Sequence, residues 1–125
     1  MSTPDPVILV VEDEALLRQA AIALAEDAGF KAVAAASADE ALAILEARAD
    51  VRLVFTDIQL PGSMDGLKLA HAVRDRWPPV ELILTSGRRR IGPDDLPERG
   101  RFFPKPYDFN ALLQVFQEMA ATDRR

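Results

Sequence analysis

Short apolar runs and longer amphipathic segments alternate along the chain. The first run, VILVV at Val7–Val11, is continuous and rich in β-branched residues, which is typical of a strand covered on both faces. Similar runs recur with turn residues between them, so we predict further strands at residues 30–35, 51–56, 80–85 and 101–104.

The segments between these strands carry apolar residues three or four positions apart, which is the spacing of one helix face. The first such segment predicts a helix over residues 14–28, which ends at Gly29. Ser37 and Glu40 form a capping box that opens a second helix through about residue 48. The same pattern predicts two more helices, at residues 65–77 and 108–121.

The segment between the fourth and fifth predicted strands lacks this periodicity. Its sequence, GRRRIGPDDLPERG, contains three glycines and two prolines, and only Ile91 and Leu96 are available for burial. Because Gly and Pro both disfavour a helix interior, we expect at most one short helix within a loop. The fourth helix of the fold is therefore predicted to be short or irregular.

The alternation of strands and helices predicts the α/β class. Right-handed crossovers between the predicted strands give a doubly wound, five-stranded parallel sheet of order 2-1-3-4-5, with helices on both faces. Ligands of such sheets bind beyond the carboxyl ends of the strands, near the switch between strands one and three. The residues that follow each strand are therefore the first candidates for a functional site.

The composition fits one globular domain. The chain has 125 residues, of which 49% are apolar and 28% charged, and it contains no cysteine. We predict a domain over residues 7–121 with short tails at residues 1–6 and 122–125. The net charge of −5 disfavours binding to nucleic acid, and no apolar run approaches the roughly 20 residues of a membrane span. The polar start resembles no secretory signal, so a cytoplasmic protein that binds neither nucleic acid nor membrane is expected.

Polar residues follow the predicted strands at the edge where their carboxyl ends meet. They are Glu12, Asp13, Asp57, Thr85 and Lys105. Any one of them alone is most simply a solvated strand end or a turn residue. Three neighbouring carboxylates repel one another unless a cation lies among them, so the set predicts a divalent ion. All-oxygen ligation favours Mg²⁺.

Mg²⁺ held by carboxylates usually completes its shell with water and phosphate oxygens, so a phosphoryl group is the expected guest. Lys105 offers a point charge and Thr85 a hydroxyl donor for the oxygens of that group. The phosphate is either a bound substrate or a group carried by the protein itself. Asp57 permits the second, because a carboxylate nucleophile can form an acyl phosphate.

The segments VILVVEDE, FTDIQLPGSMDG, LILTSG and FFPKPY resemble, in order, the motifs of the receiver domains of two-component response regulators. The resemblance covers about residues 7–121. It implies that Asp57 accepts a phosphoryl group from the phosphohistidine of a histidine kinase or histidine phosphotransfer protein, then regulates a partner or passes the phosphate on. It also implies a bacterial signalling domain rather than an enzyme, with only self-phosphotransfer and slow autodephosphorylation.

The resemblance further implies a role for each site residue. Asp13 would bind Mg²⁺ directly and Glu12 mostly through water. Asp57 and the backbone carbonyl of Gln59 would be the other ligands that the protein supplies to the ion.

The resemblance also implies a conformational switch. Lys105 and Thr85 would hold the phosphoryl oxygens, with Thr85 moving toward the phosphate and Phe102 acting as the second switch residue. The family commonly has a cis peptide after its lysine, which makes Lys105-Pro106 a candidate. Residues 86–100 depart from the regular helix of the family, and we hypothesise that they are mobile and become ordered on phosphorylation or partner binding.

Two rival functions fit parts of the pattern. Phosphohydrolases of the haloacid dehalogenase type share the aspartate nucleophile, Mg²⁺ and lysine, but they have a second aspartate where this chain has Gln59. A flavin or nucleotide binder needs a Gly-rich loop after strand one, where Glu12 and Asp13 would repel a phosphate. A stand-alone receiver is the first expectation, and a receiver excised from a hybrid histidine kinase or multidomain regulator is the alternative.

Other polar residues receive structural interpretations. His71, the only histidine, is expected to be a partly exposed helix residue rather than a phosphorelay site. Trp77 is expected to pack at the end of the same helix, and Lys68 and Arg74 to be solvated charges on it.

Overall fold

The computed structural model describes residues 5–87 and 90–123. The strands are β1 (Val7–Val11), β2 (Lys31–Ala35), β3 (Val51–Asp57), β4 (Glu81–Ser86) and β5 (Gly100–Pro104). The helices are α1 (Ala15–Asp27), α2 (Ala38–Ala47), α3 (Gly66–Arg76) and α4 (Phe109–Asp123). Each lies within two residues of its predicted bounds.

The strands form one parallel sheet of order β2-β1-β3-β4-β5, which confirms the predicted topology. Helices cover both faces of this sheet. Alternate residues of each central strand therefore contribute to two separate apolar clusters. Leu9 and Val54 face α2 and α3, whereas Ile8 and Phe55 face α1 and α4.

Two helix starts follow the local signals in the sequence. The Ser37 hydroxyl accepts the backbone N–H of Glu40 and so caps α2. The Glu40 carboxylate in turn accepts the N–H of Ala36, one residue before the partner expected in a capping box. Asp65 caps α3 in the same way by accepting the N–H of Lys68.

The β4–β5 segment, residues 87–99, contains a short 3₁₀ turn at Pro93–Asp95 and no α-helix among its described residues. This agrees with the predicted irregular element. Ile91 and Leu96 pack against the apolar cluster on the α2 and α3 face, so the segment covers sheet surface without being a long helix.

Arg74 of α3 contacts two later segments of the chain. Its Nε donates to the carbonyl of Glu98 in the β4–β5 segment over 2.7 Å, and its Nη1 donates to the carbonyls of Pro78 and Val80, just before β4, over 2.6 and 2.9 Å. The prediction that Arg74 is a solvated helix charge was therefore wrong, because helix spacing does not show which later segment returns to the helix.

His71 is an exposed residue of α3, and its ring Nε2 lies 2.8 Å from the carbonyl oxygen of Asp95.

Residues 88 and 89, which belong to the hypothesised mobile stretch, lie outside the described residues. The hypothesis that residues 86–100 become ordered on phosphorylation stays a prediction, as do the domain bounds. Within the described ranges, no helix combines the length and apolar character that crossing a bilayer requires.

Candidate functional site at the carboxyl edge of the sheet

Strand register brings the candidate residues to one edge. Val11 of β1 is paired with Thr56, and Asp57 of β3 is paired with Thr85 of β4. Ser86 is in turn paired with Pro104, immediately before Lys105. Because these strands are parallel and end close to the same level, the side chains that follow them converge there.

The carboxylate of Asp57 is held through both of its oxygens. Its Oδ1 accepts the backbone N–H of Gln59 over 3.1 Å, and its Oδ2 accepts the Nζ of Lys105 over 2.8 Å. The same Nζ donates to the Oε1 of Glu12 over 3.2 Å. Asp57 and Glu12 are each only 5% exposed, so one lysine serves two buried carboxylates.

The charges of this cluster change the pKa values of two of its members. Burial lowers the pKa of Lys105, but the hydrogen bond and charge attraction of Asp57, followed by those of Glu12, outweigh burial and raise it. Burial also raises the pKa of Glu12, and the charge of Asp57 adds to that rise. Lys105 is therefore held as a cation, whereas the ionised form of Glu12 is disfavoured by folding.

Glu12, Asp13 and Asp57 each offer a carboxylate oxygen within 4.8 Å of the others. Asp13 is exposed, and a cavity of about 420 Å³ opens between it and the loop after β3, with Gln59 among the lining residues. Three carboxylates beside one lysine leave excess negative charge, and hard oxygen donors suit Mg²⁺. The donor set therefore fits the ion that the sequence predicts.

The hydroxyl of Thr85 is buried and makes no hydrogen bond to any of the described residues. The side chain is 1% exposed and follows Leu84 at the end of β4. A buried hydroxyl normally has a partner, so this one is available to a group that enters beside Asp57. Phe102 is half-buried on β5 and packs against the apolar cluster on the α2 and α3 face.

Two backbone features lie at the site. The Lys105-Pro106 peptide is cis, as the resemblance implies. Gly66, the first residue of α3, donates its N–H to the carbonyl of Ile58 over 2.8 Å. A Cβ at Gly66 would lie 1.8 Å from the backbone oxygen of Asp57, so α3 begins in direct contact with the backbone of the candidate nucleophile.

Two residues at this edge were missed by sequence reasoning. The Ser86 hydroxyl donates to the side-chain oxygen of Gln59 over 2.8 Å. The Nη1 of Arg18 donates to the carbonyls of Glu12 and Asp13 over 3.0 and 3.3 Å. A serine beside Thr85 and an arginine one turn into α1 were the available signals, but neither one specifies a partner.

The fold and this site together define a signalling receiver domain rather than a dedicated enzyme. The model of the response regulator receiver domain matches residues 8–117, and the chain belongs to this family of two-component signalling proteins.

Two curated relatives show the range of proteins that contain such a domain. Nitrogen assimilation regulatory protein NtrX of Azorhizobium caulinodans is 34% identical over 121 residues, which are 94% of this chain and 26% of NtrX. Sensor kinase CckA of Brucella abortus is 32% identical over 116 residues, which are 90% of this chain and 12% of CckA. The chain thus spans about a quarter or less of the length of these relatives.

Solved structures of receiver domains are similar to this chain in fold. A response regulator receiver protein from Pseudomonas putida has a TM-score of 0.81 and 29% identity, covering 93% of this chain and 98% of that chain. The receiver domain of the hybrid histidine kinase CckA has a TM-score of 0.75 and 29% identity, covering 91% and 98%.

Proposed function

We propose that this chain is a phosphoacceptor of a two-component phosphorelay and that Asp57 is the residue that carries the phosphate. The observation that supports this most directly is the fixed carboxylate of Asp57, held at both oxygens within a cluster of acids. Beside it lies the buried Thr85 hydroxyl, which has no hydrogen-bond partner among the described residues. Such an arrangement orients a nucleophile while it leaves a donor for an incoming group.

The proposed donor is a phosphohistidine on a histidine kinase or a histidine phosphotransfer protein. In the transfer, a carboxylate oxygen of Asp57 forms a bond to phosphorus while the P–N bond to the imidazole breaks, and the departing imidazole nitrogen takes a proton from solvent. Phosphohistidine is the expected donor because the relatives include the sensor kinase CckA as well as the regulator NtrX.

Mg²⁺ is the proposed cofactor. Asp13, Asp57 and the backbone carbonyl of Gln59 would hold it directly, and Glu12 would hold it mostly through water. When bound, the ion neutralises the carboxylates and the oxygens of the phosphoryl group.

The side chains of Lys105 and Thr85 are proposed to bind the transferred group. Lys105 already lies 2.8 Å from Asp57 Oδ2, so it is in reach of an oxygen attached to phosphorus on that carboxylate. The Thr85 hydroxyl, which makes no hydrogen bond within the described part of the chain, gains a partner in the same event. We propose that Thr85 moves toward the phosphate and that Phe102 follows, which would carry the change to a protein partner.

The acyl phosphate is proposed to be lost slowly by self-hydrolysis. Gln59 stands two residues after Asp57 and offers an uncharged carboxamide where a phosphohydrolase needs an acid or base. We place the domain in the cytoplasm, where histidine kinases present their phosphohistidine. Its similarity to the receiver of CckA also supports a second setting, as one module of a larger kinase or regulator.

Substitution of Glu12 by Gln is expected to change metal binding and fold stability in opposite directions: the variant should be more stable without Mg²⁺ but should bind Mg²⁺ more weakly. Burial raises the pKa of Glu12 above its ordinary value of 4.5, so stability falls as pH rises from 4.5 through the raised pKa. Without Mg²⁺ at neutral pH, Glu12→Gln should therefore unfold at higher urea concentration than the wild type, with the difference lost below pH 4.5. Its Mg²⁺ affinity, measured by calorimetry, should fall about tenfold.

The matched control is Glu14→Gln, which removes an exposed carboxylate two residues away. We expect that substitution to change Mg²⁺ affinity much less. A Glu12→Gln variant that is less stable than wild type at neutral pH without Mg²⁺ would contradict this account of the charge cluster.

The proposed function is tested by incubating the protein with a small phosphodonor and Mg²⁺ and then measuring its intact mass. A single phosphate adduct is expected, absent when a chelator is present and removed by hydroxylamine, which cleaves acyl phosphates. Peptide mapping should place it on the segment that contains Asp57. An adduct that resists hydroxylamine, or none with Mg²⁺ present, would reject the proposal.

A further inference from the structure

Ser86 is a buried residue that contacts the neighbours of the proposed nucleophile, Asp57. It is the last residue of β4, directly after Thr85, and is 2% exposed. Its backbone carbonyl accepts the N–H of Lys105 over 3.0 Å. Its hydroxyl donates to the Oε1 of Gln59 over 2.8 Å. One buried residue therefore contacts both of the residues that hold Asp57.

These contacts lead to different oxygens of the same carboxylate. Gln59 donates its backbone N–H to Asp57 Oδ1, and Lys105 donates its Nζ to Asp57 Oδ2. The rotation of the carboxylate about its last side-chain bond is set by these two donors together. If either donor shifts, the other pulls the carboxylate into a new orientation.

The two donors differ in how firmly the fold holds them in position. Lys105 continues from β5, and its N–H joins it to β4 at Ser86. Gln59 instead lies in the loop between β3 and α3, after Ile58, whose N–H is bonded to the carbonyl of Thr85. Beyond Ile58 the loop runs through Pro61 and Gly62, both of which are exposed. The Ser86 hydroxyl thus fixes Gln59 at the point where the chain leaves the sheet.

We propose that the hydroxyl of Ser86 is a positioning group for phosphoryl transfer: it braces Gln59 so that the two donors hold the Asp57 carboxylate in its reactive orientation. The brace also sets the backbone at Gln59, whose carbonyl is a proposed metal ligand. This inference rests on the proposed function of Asp57 and adds a residue that does not itself touch the phosphate.

The brace also relates the reaction to the conformational switch. Ser86 follows Thr85 directly, so a movement of the Thr85 backbone toward a phosphate must displace the Ser86 hydroxyl as well. Gln59 then moves with Ser86 or loses its hydrogen bond. The hydrogen bond between Ser86 and Gln59 therefore couples movement of the loop after β3 to movement at the end of β4, where the β4–β5 segment begins.

The test uses Ser86→Ala and Gln59→Met, which remove the donor and the acceptor of the brace with little change in volume. With saturating Mg²⁺ and a small phosphodonor, each variant is expected to form the adduct about tenfold more slowly than wild type, because misplacement of a reacting group by about 1 Å costs up to ~10²-fold. The double variant should be no slower than the slower single variant, because both substitutions remove the same interaction.

A second measurement reports position directly, without any reaction. In Mg²⁺-free protein, the backbone amide resonance of Gln59 and the carboxylate carbon resonance of Asp57 should both shift in Ser86→Ala. Ser63→Ala is the matched control, since Ser63 is an exposed serine of the same loop. That control should leave the adduct rate and both resonances close to those of wild type. Urea unfolding of each variant confirms that the fold is retained.

The outcomes separate this inference from the proposed function. If the wild type forms the adduct and Ser86→Ala forms it at the same rate, the brace is rejected while the function of Asp57 stands. Rate losses that simply add in the double variant also reject it. If the wild type forms no adduct, the proposed function fails, and unshifted resonances in Ser86→Ala would then reject the brace independently.

Discussion

Asp57→Asn is expected to take up no phosphate, a loss of at least about 10³-fold that follows from removing the nucleophile itself. The substitution keeps the shape of the side chain, but an amide does not attack phosphorus. The measurement is the intact mass after incubation with a small phosphodonor and Mg²⁺, in parallel with wild type.

The Asp57→Asn variant should still fold. The Asn oxygen can accept one of the two donors that now hold the carboxylate, and Lys105 keeps its ion pair with Glu12 at 3.2 Å. Loss of the Asp57 charge also removes one of the influences that raise the pKa of Glu12. An unfolding free energy close to that of wild type would show that the lost adduct is a chemical effect.

Asp50→Asn provides the matched control for the same change of side chain. Asp50 directly precedes β3 at its opposite end, where it is exposed and paired with Arg48 at 2.9 Å. This variant should form the adduct at the wild-type rate. A phosphate adduct that survives in Asp57→Asn, or is lost in Asp50→Asn, would show that the nucleophile has been assigned incorrectly.

Gly66→Ala is expected to have the largest effect on stability, a loss of about 3 kcal/mol or more in the free energy of unfolding. Its Cβ would lie 1.8 Å from the backbone oxygen of Asp57 and 2.9 Å from the Cα of Ile58. Both neighbours are backbone atoms of β3 or its immediate continuation, so neither can turn aside as a flexible side chain would. Either the start of α3 or the end of β3 has to move.

The same variant should also lose most of its phosphate uptake, because the displaced backbone carries the nucleophile. Urea unfolding gives the stability, and the adduct rate is measured at a temperature where the variant is still folded. Gly92→Ala is the control, since a Cβ there would meet, among the described residues, only the Asp95 side chain at an ordinary 3.5 Å. Wild-type stability in Gly66→Ala would mean that the close approach is not maintained in solution.

Local patterns in the sequence account for most of the fold. Apolar runs predicted the five strands, and the capping box at Ser37 marked where α2 begins. These predictions succeeded because strand burial, helix periodicity and capping depend on neighbours within a few residues. The Gly and Pro content of the β4–β5 segment likewise excluded a regular helix before the structure showed a 3₁₀ turn.

The candidate site was predicted in part. The carboxyl ends of parallel strands lie at the same edge of a sheet, and this rule predicted that Glu12, Asp13, Asp57 and Lys105 lie together. In the structure, carboxylate oxygens of the three acids lie within 4.8 Å of one another. Contacts between distant segments were not predictable. Arg74 reaches the carbonyl of Glu98, 24 positions further along the chain, and helix spacing alone suggested only a solvated charge.

The sequence by itself determined the order of strands, the edge at which the acids and the lysine meet, and the family to which the chain belongs. Only the tertiary structure decided how the Asp57 carboxylate is held. Its two donors come from separate segments, and Ser86, on a third segment, contacts both of them, Gln59 through its hydroxyl and Lys105 through its backbone carbonyl. Hydrogen bonds between segments far apart in the chain depend on distances that only the packed sheet and its loops establish.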